Sequence, residues 1–509
     1  MDWSDGYVVD TEYRVGFCRK QAPSYLSVVC IMNGYEPVPL DRPFTYFELG
    51  CGHGFTASVL AASNPQGRFY AADFMPSHIA AGRQLADTAQ LDNLTLLENS
   101  FAELAAGKVD VPPLDFITLH GVYSWVSPEN RGHIVAFISR YLKPGGIVYV
   151  SYNALPGWSS VAPLQRLVLE HANAHPDSRD VQVRGARSLI DRMIAAKAGY
   201  FENTTKSLTT RLESWKKYDA HYLSHEYMNR CWQALYHADV ARDFAAAKAD
   251  YVGSVELGTS FEHMCLTQEQ RDLLSAAPDP AWRETLKDYF TNTVFRGDVF
   301  VRGARRMTPA RRRHWMEQLG VALTVPRESA TLGFPPVDAP SAQGDVAAAL
   351  LDQLAKSPRS LAELATLPSH TMSSAAQVMA LAVLHDQGLP YFLSAASLPA
   401  AAAHRMNAAI ASQSLLDDRH QAFASPLLGN GVGIGLIGRL AYGALQQQER
   451  TDAMAITRQV WQAMKDQGAP ILDADKPDGT KEDELAEILP TVRKLLDVRL
   501  PTWRQLKFL

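Results

Sequence analysis

Residues Phe47-Glu48-Leu49-Gly50-Cys51-Gly52-His53-Gly54-Phe55 constrain this chain more than any other stretch. An apolar strand runs into an acidic residue, then glycine stands at every second position, and a helix-forming segment follows. A backbone that turns sharply from strand to helix, at φ > 0 and close to a ligand, needs residues without a Cβ. Strand–glycine turn–helix units of this kind cradle adenosine cofactors at the carboxyl end of a parallel sheet. The surrounding segments agree. Residues 45–49, 68–73, 94–98, 114–119 and 147–152 read as strands, and 56–62, 77–89 and 129–142 as helices between them. The fold class is therefore α/β.

At 509 residues the chain exceeds what one core supports. The α/β alternation occupies 1–165. Residues 166–324 recur at helical spacing and read as a helical middle domain. A Pro/Gly/Ser-rich linker spans 325–344. Helix, short helix, helix and strand over 345–400 predict a winged-helix-like unit, and 401–509 mixes helices with the glycine-rich stretch 429–438 into a C-terminal α/β region. A net charge of −5 and a pI near 6.3 argue against a dedicated nucleic-acid binder. The stretch 373–388, where a recognition helix would sit, contains no Lys or Arg to contact phosphates or bases. The unit therefore reads as structural or partner-docking, and no specific nucleic acid is expected.

Five scattered cysteines (18, 30, 51, 231 and 265) without a C-x-x-C pair suit a reducing compartment and offer no zinc site. His225-Glu226-x-x-Asn229 departs from the zinc-protease pattern because Asn229 stands where the second imidazole is needed. No metal is expected. No apolar run approaches the ~20 residues of a bilayer span, and the N-terminus lacks signal-peptide character. The expectation is a soluble cytoplasmic protein with no membrane partner. Arg302, Arg305, Arg306, Arg311, Arg312 and Arg313 form the most basic stretch, with Thr308-Pro309 starting a helix. They read as a solvated face paired with domestic carboxylates, or else as a site for an acidic surface or RNA.

Gly52-x-Gly54-x-x-Ala57 also fits the looser dinucleotide fingerprint. Asp73, closing the second strand, could accept ribose hydroxyls in either case. Other residues separate the two readings. Glu48-x-Gly50-x-Gly52-x-Gly54 closely resembles the class I methyltransferases that use S-adenosylmethionine (SAM), and so does Leu142-Lys143-Pro144-Gly145-Gly146 before the fifth strand. Glu98-Asn99-Ser100-Phe101 stands where that family contacts adenine, although Ser100 departs from the commoner aspartate. Residues 120–125 with 152–158, 222–229 with Trp232 and Asp239-Val240-Ala241, and Tyr251-Val252-Gly253-Ser254 resemble the methyltransferase regulatory-domain family, which includes the rickettsial protein lysine methyltransferases. The resemblance implies a class I Rossmann-like core, a helical middle domain used in dimerisation and a C-terminal domain. It also implies SAM as cofactor, held by Glu48, Gly50, Gly52, Gly54, Asp73, Phe74, Ser100, Phe101, His120 and Gly121. Before the first strand, Asp10-Thr11-Glu12-Tyr13-Arg14 and Phe17 form a polar–aromatic segment that could fold over the cofactor and place Tyr13 over the methionine moiety.

The loops after the fourth and fifth strands, 120–126 and 151–158, face the transferable methyl. They offer aromatic and polar groups and no Cys nucleophile or carboxylate pair, which suits direct in-line transfer to a positioned nucleophile. A lysine acceptor, pKa about 10.4 in water, loses its proton more readily in an apolar pocket. Tyr123, Trp125 and Tyr152 could attract a cation through their faces, worth about 0.5–2 kcal/mol each, and His120 or Tyr123 could take the proton. These four are the candidate catalytic residues, although Trp125 and Trp158 fit equally as core anchors and Tyr152 as an ordinary strand end. The leading expectation is methyl transfer to a protein lysine, with a homodimer borrowed from the family. A small-metabolite methyltransferase and a non-catalytic SAM sensor stand as alternatives.

Overall fold

The computed structural model describes residues 15–332, 343–447, 452–471 and 480–509. After α1 (Pro23–Met32) come β1 (Phe44–Leu49), α2 (Phe55–Ser63), β2 (Gly67–Asp73), α3 (Pro76–Thr88), β3 (Leu94–Glu98), α4 (Phe101–Ala106), β4 (Leu114–Leu119), α5 (Pro128–Tyr141) and β5 (Leu142–Asn153). These five strands are parallel, with Phe47 opposite Tyr70 and Ile117. Helices cover both faces, so β1 is buried along nearly its whole length. Tyr46 packs on Phe69 below it (4.9 Å between centroids), and Phe47 packs on Phe137 of α5 above it (4.8 Å).

The sheet does not end at residue 165. Its order is β3-β2-β1-β4-β5-β7-β6, with β7 (Phe295–Arg302) antiparallel to both neighbours and β6 (Ala249–Ser254) at the edge. Two of the seven strands thus lie within 166–324, the stretch read as a helical middle domain. The cause is visible in β7: Arg296 and Asp298 alternate with apolar residues and suggest an exposed face, yet both are buried against each other. The helical insertion itself runs through α6 (Ala162–Ala174), α7 (Arg179–Ala195), α8 (Gly199–Glu202), α9 (Lys206–Trp215) and α10 (Ala220–Met228), followed by α11 (His237–Ala245). It has a separate core built on Trp158, Leu164, Val168, Trp215 and Tyr227. Helices α12 (Gln268–Ser275) and α13 (Pro280–Thr291) sit between β6 and β7.

Next come α14 (Pro309–Glu317) and β8 (Leu319–Leu323), then α15 (Gln343–Lys356), β9 (Arg359–Ser360), α16 (Leu361–Ala365), α17 (Met372–Leu384) and β10 (Gly388–Phe392). The unit expected over 345–400 takes the middle strand of its three-stranded sheet, β8, from before the linker. The arginine stretch is largely domestic. Arg302 donates to the Ser139 and Leu142 carbonyls, Arg311 pairs with Glu36, and Arg312 donates to the carbonyls of Ile31 and Met32 at the end of α1. Arg306 lies over the Tyr35 ring.

The remainder contains α18 (Ala401–Gln413), the hairpin β11 (Ala422–Ser425) and β12 (Asn430–Gly433), and helices α19 to α22. That hairpin packs on α2, the helix that follows the glycine turn, through Ser63 Oγ to the Asn430 carbonyl (2.9 Å) and Asn64 Nδ2 to the Gly429 carbonyl (3.0 Å). No helix among the described residues is long and apolar enough to cross a membrane.

Candidate active site

The glycine turn joins β1 to α2 with Gly50, Gly52 and Gly54 at φ of 66°, 53° and 65°. Two of these glycines are also demanded by packing. A Cβ on Gly50 would come 2.7 Å from Val122 Cγ2, and one on Gly54 2.8 Å from Leu96 Cδ2. Gly52 and Gly121 (φ 64°) differ: a Cβ on either would meet no atom of the described residues within 4 Å. The open space lies in front of these two glycines, at the carboxyl edge of the sheet.

Asp73 ends β2 and braces the turn. Its Oδ2 accepts from the Gly52 N–H (2.9 Å) and its Oδ1 from the Met75 N–H (3.0 Å), with His78 Nδ1 at 3.4 Å. Helix α3 presses on the same loop. A Cβ at Gly82 would sit 2.6 Å from the His53 carbonyl oxygen, whereas one at Gly132 on α5 would meet nothing. Gly82→Ala is therefore expected to cost about 1–3 kcal/mol and to weaken cofactor binding, while Gly132→Ala stabilises by up to about 1 kcal/mol. Thermal melts and ligand titration of the two variants check this.

Glu48, on β1, is 4% exposed. Its Oε1 accepts from Gln21 Nε2 (3.1 Å), and its Oε2 has no partner among the described residues. Burial, opposed by the Gln21 hydrogen bond and supplemented by the charge of Cys18, pushes its pKa up to about 8. An orphaned buried carboxyl oxygen beside an open cradle fits a cationic ligand.

At the end of β4, His120 is exposed, and its Nδ1 lies 2.9 Å from Tyr149 Oη and 3.0 Å from Ser151 Oγ. Ser151 Oγ also accepts from the Gly121 N–H (2.9 Å). Desolvation by the surrounding protein lowers the His120 pKa, and the negative charges of Cys18 and Glu48 outweigh it, so the net shift is above the ordinary value. Phe295, at the start of β7 and 45% exposed, meets the His120 ring edge-to-face at 6.0 Å. Tyr149, Ser151, Phe295 and Cys18 are site residues that the sequence reading passed over.

Several expected residues stand elsewhere. Strand alternation puts Tyr149 and Ser151 on the His120 side of β5 and turns Tyr152 to the other. Tyr152 is 1% exposed and its hydroxyl donates to Asp298 Oδ2 at 2.5 Å. Tyr123 is fully buried and donates to Asp243 Oδ2 (2.8 Å), so it is no proton acceptor for a substrate. Ser100 is the N-cap of α4 in a reciprocal capping box with Glu103, which occupies its hydroxyl. The sequence Ser100-x-x-Glu103 carried that signature. Trp125 is half-buried, and its carbonyl accepts from Asn229 Nδ2 (3.2 Å). Trp158 is a core anchor against Trp232 and Arg211. Phe101 stands beside Gly50, 3.7 Å from where a Cβ would be, and Phe74 follows Asp73 half-buried. Tyr13 lies outside the described residues. A groove of about 550 Å³ between α11 and α13, lined by Tyr236, Asp239, Arg242 and Trp282, shares no residue with this site.

Residues 47–148 match the family model described as a methyltransferase domain, and residues 219–302 match that of the predicted methyltransferase regulatory domain. An uncharacterised Synechocystis protein is 33% identical over 507 residues, covering 98% of both chains. The chain belongs to the class I SAM-dependent methyltransferases that carry a methyltransferase regulatory domain. An uncharacterised Rickettsia prowazekii protein is 27% identical over 214 residues, 40% of this chain and 80% of that one. The structure of PKMT2 from Rickettsia typhi in complex with AdoHcy shares the fold with a TM-score of 0.69 at 18% identity, over 97% of this chain and 99% of that one. The methyltransferase uses SAM, and its regulatory domain supplies β6 and β7, the last two strands of the catalytic sheet.

Proposed function

We propose that this methyltransferase acts on a lysine side chain of a protein, with SAM held between Glu48, the glycine turn, Asp73 and His120. The observation that carries this reading is the exposed His120, backed by Tyr149 and Ser151 and faced by the exposed Phe295. SAM supplies a methyl group on a sulfonium, open to in-line attack by a nucleophile. The chain's residues do the rest. Asp73, already ordered by two backbone N–H donors, offers its remaining acceptor capacity to ribose hydroxyls. Glu48 Oε2 receives the ammonium of the methionine part. Phe101 borders the adenine, and Ser100 acts there only through its backbone. The Phe295 ring offers an aromatic face to the acceptor and excludes water, which lowers the pKa of an amine. His120 Nδ1, already engaged by two hydroxyls, has the orientation of a fixed imidazole that can take the released proton.

The likeness to PKMT2 extends through the helical insertion and the C-terminal unit, which supports a macromolecular acceptor over a free metabolite. The same reading makes the location cytoplasmic, the assembly a homodimer and the 345–400 unit winged-helix-like. The test is transfer of labelled methyl from SAM into a lysate of the source cell, resolved by protein mass. A discrete labelled protein with the label on lysine is expected. Label confined to the small-molecule fraction would replace the protein acceptor with a metabolite.

A further inference from the structure

Asn153, the last residue of β5, is 6% exposed, and its Nδ2 is shut off from solvent without a partner among the described residues. Its main chain, by contrast, is anchored on three sides. The Asn153 N–H donates to Ser124 Oγ (2.8 Å) and its carbonyl accepts from the Leu235 N–H (2.9 Å). The N–H of Ala154, next in the chain, donates to the Val294 carbonyl (3.0 Å). A buried amide donor left unpaired costs about 1–3 kcal/mol, and such a group calls for a ligand or a water to complete it.

Strand geometry fixes where this amide lies. Side chains alternate along a strand, so Asn153 shares a face with Tyr149 and Ser151, the two residues that hold His120. It stands two residues beyond Ser151, about 7 Å further toward the carboxyl edge. Across the ladder Asn153 is the direct partner of Phe295, and Ser151 that of Gly297, which offers no side chain. Directly opposed residues carry their Cβ atoms about 4.5–5.5 Å apart on one face. The Phe295 ring in turn meets the His120 ring at 6.0 Å. Asn153, Phe295, Ser151 and His120 therefore border one space, on the edge where Gly121 leaves room.

We propose that Asn153 binds the nitrogen that receives the methyl group: its Oδ1 accepts one N–H of the neutral amine, which turns the lone pair toward the SAM methyl. This rests on the assignment of SAM to the site between Glu48 and His120. The amide suits the task because it carries no charge. A carboxylate here would hold the substrate as an ammonium and remove the lone pair that attacks. In the transfer that lone pair forms the N–C bond, the C–S bond breaks toward sulfur, and the sulfonium becomes a neutral thioether. The ammonium so formed gives its proton to His120. The bond to Asn153 strengthens as positive charge develops on nitrogen, so it favours the transition state over the bound substrate.

The test uses the full chain and two ligands that differ at one position. Sinefungin carries a protonated amine where SAM carries its methyl sulfonium, so its N–H groups stand in for those of the substrate amine. S-adenosylhomocysteine has no such group. Calorimetry measures both affinities. Asn153→Ala is expected to weaken sinefungin about ten-fold relative to S-adenosylhomocysteine, as for loss of a charge-assisted hydrogen bond, while S-adenosylhomocysteine stays within about two-fold of the wild type. Asn153→Asp, of the same shape, should shift the ratio the other way, because its carboxylate attracts the ammonium. A ratio unchanged in both variants would overturn the proposal. So would an equal loss of both ligands in Asn153→Ala, which would mark the amide as structural. Failure of the wild type to bind S-adenosylhomocysteine would sink the site assignment and this proposal with it. The ratio does not depend on which nitrogen is methylated, so it is judged apart from the lysine reading, which the lysate assay decides.

Discussion

Asp298→Asn is expected to destabilise the protein by about 3–5 kcal/mol, the usual cost of removing one partner from a buried ion pair. Asp298 is fully buried. It accepts from Tyr152 Oη (2.5 Å) and from Arg296 Nε (3.0 Å to each oxygen), and its Oδ2 lies 2.9 Å from His237 Nδ1. Burial alone would raise its pKa, yet Arg296 and His237 hold it well below the usual carboxylate range. Arg296 continues the network to Asp288 (2.7 Å) and Glu284 (3.0 Å) on α13. Asparagine keeps the shape and removes the charge, so the buried guanidinium loses its principal counter-ion. Its amide can also satisfy fewer of the donors that converge there. Because the cluster joins β5, β7, α11 and α13, the loss should melt the regulatory segment first and carry the edge of the sheet with it. Urea denaturation checks the magnitude. Glu170→Gln on the exposed Arg166–Glu170 pair of α6 is the contrast, with a change of no more than about 0.5 kcal/mol. Equal effects for the two would mean the buried cluster is energetically idle.

The same cluster explains what could be read from the chain and what could not. Strands β1 to β5 and the glycine turn were legible because local signals specify them: apolar runs buried on both faces and glycines at positive φ; the Pro-Gly-Gly read as a break before the fifth strand is instead an irregularity inside β5, which already pairs at Leu142. Strands β6 and β7 were not, because Arg296 and Asp298 look like solvent-facing residues until Glu284 and Asp288 of the preceding helix and His237 of a more remote one fold against them. The acceptor side failed for a related reason. Aromatic character drew attention to Tyr123 and Tyr152, but side-chain alternation decides which face each occupies, and the modest Ser151 and Tyr149 share the His120 side. Cys18 and Phe295 come to that side from 102 residues before and 175 after His120 in the numbering, separations that no spacing rule reaches. Ser100 was the opposite case, since its capping-box partner three residues on was in plain view.

Glu48→Gln should change stability and cofactor binding in opposite directions. In the folded protein without SAM, the Glu48 carboxyl keeps its proton until about pH 8, chiefly because it is buried. In the unfolded chain it loses that proton near the ordinary carboxyl value of 4.5. Between those limits the native state binds the extra proton, so stability falls as pH rises, by about 1.4 kcal/mol per unit at most. The full benefit is present below about pH 4.5 and is gone above about 8. Glutamine has no charge to desolvate, so the variant's stability should fall less across this window and exceed that of the wild type at pH 8 by a few kcal/mol. The slope that survives belongs in part to Glu226, raised to about 7 by burial with Arg211 opposing. SAM reverses the preference. Its ammonium beside Oε2 favours the carboxylate, so binding at pH 7 should release close to one proton from the wild type and almost none from the variant. The variant should also bind about 10–100-fold more weakly, as expected for loss of a charge-assisted hydrogen bond. Calorimetry in two buffers of different ionisation enthalpy measures the proton directly. Equal proton release from both proteins would show that Glu48 does not face the ligand, whatever the melts report.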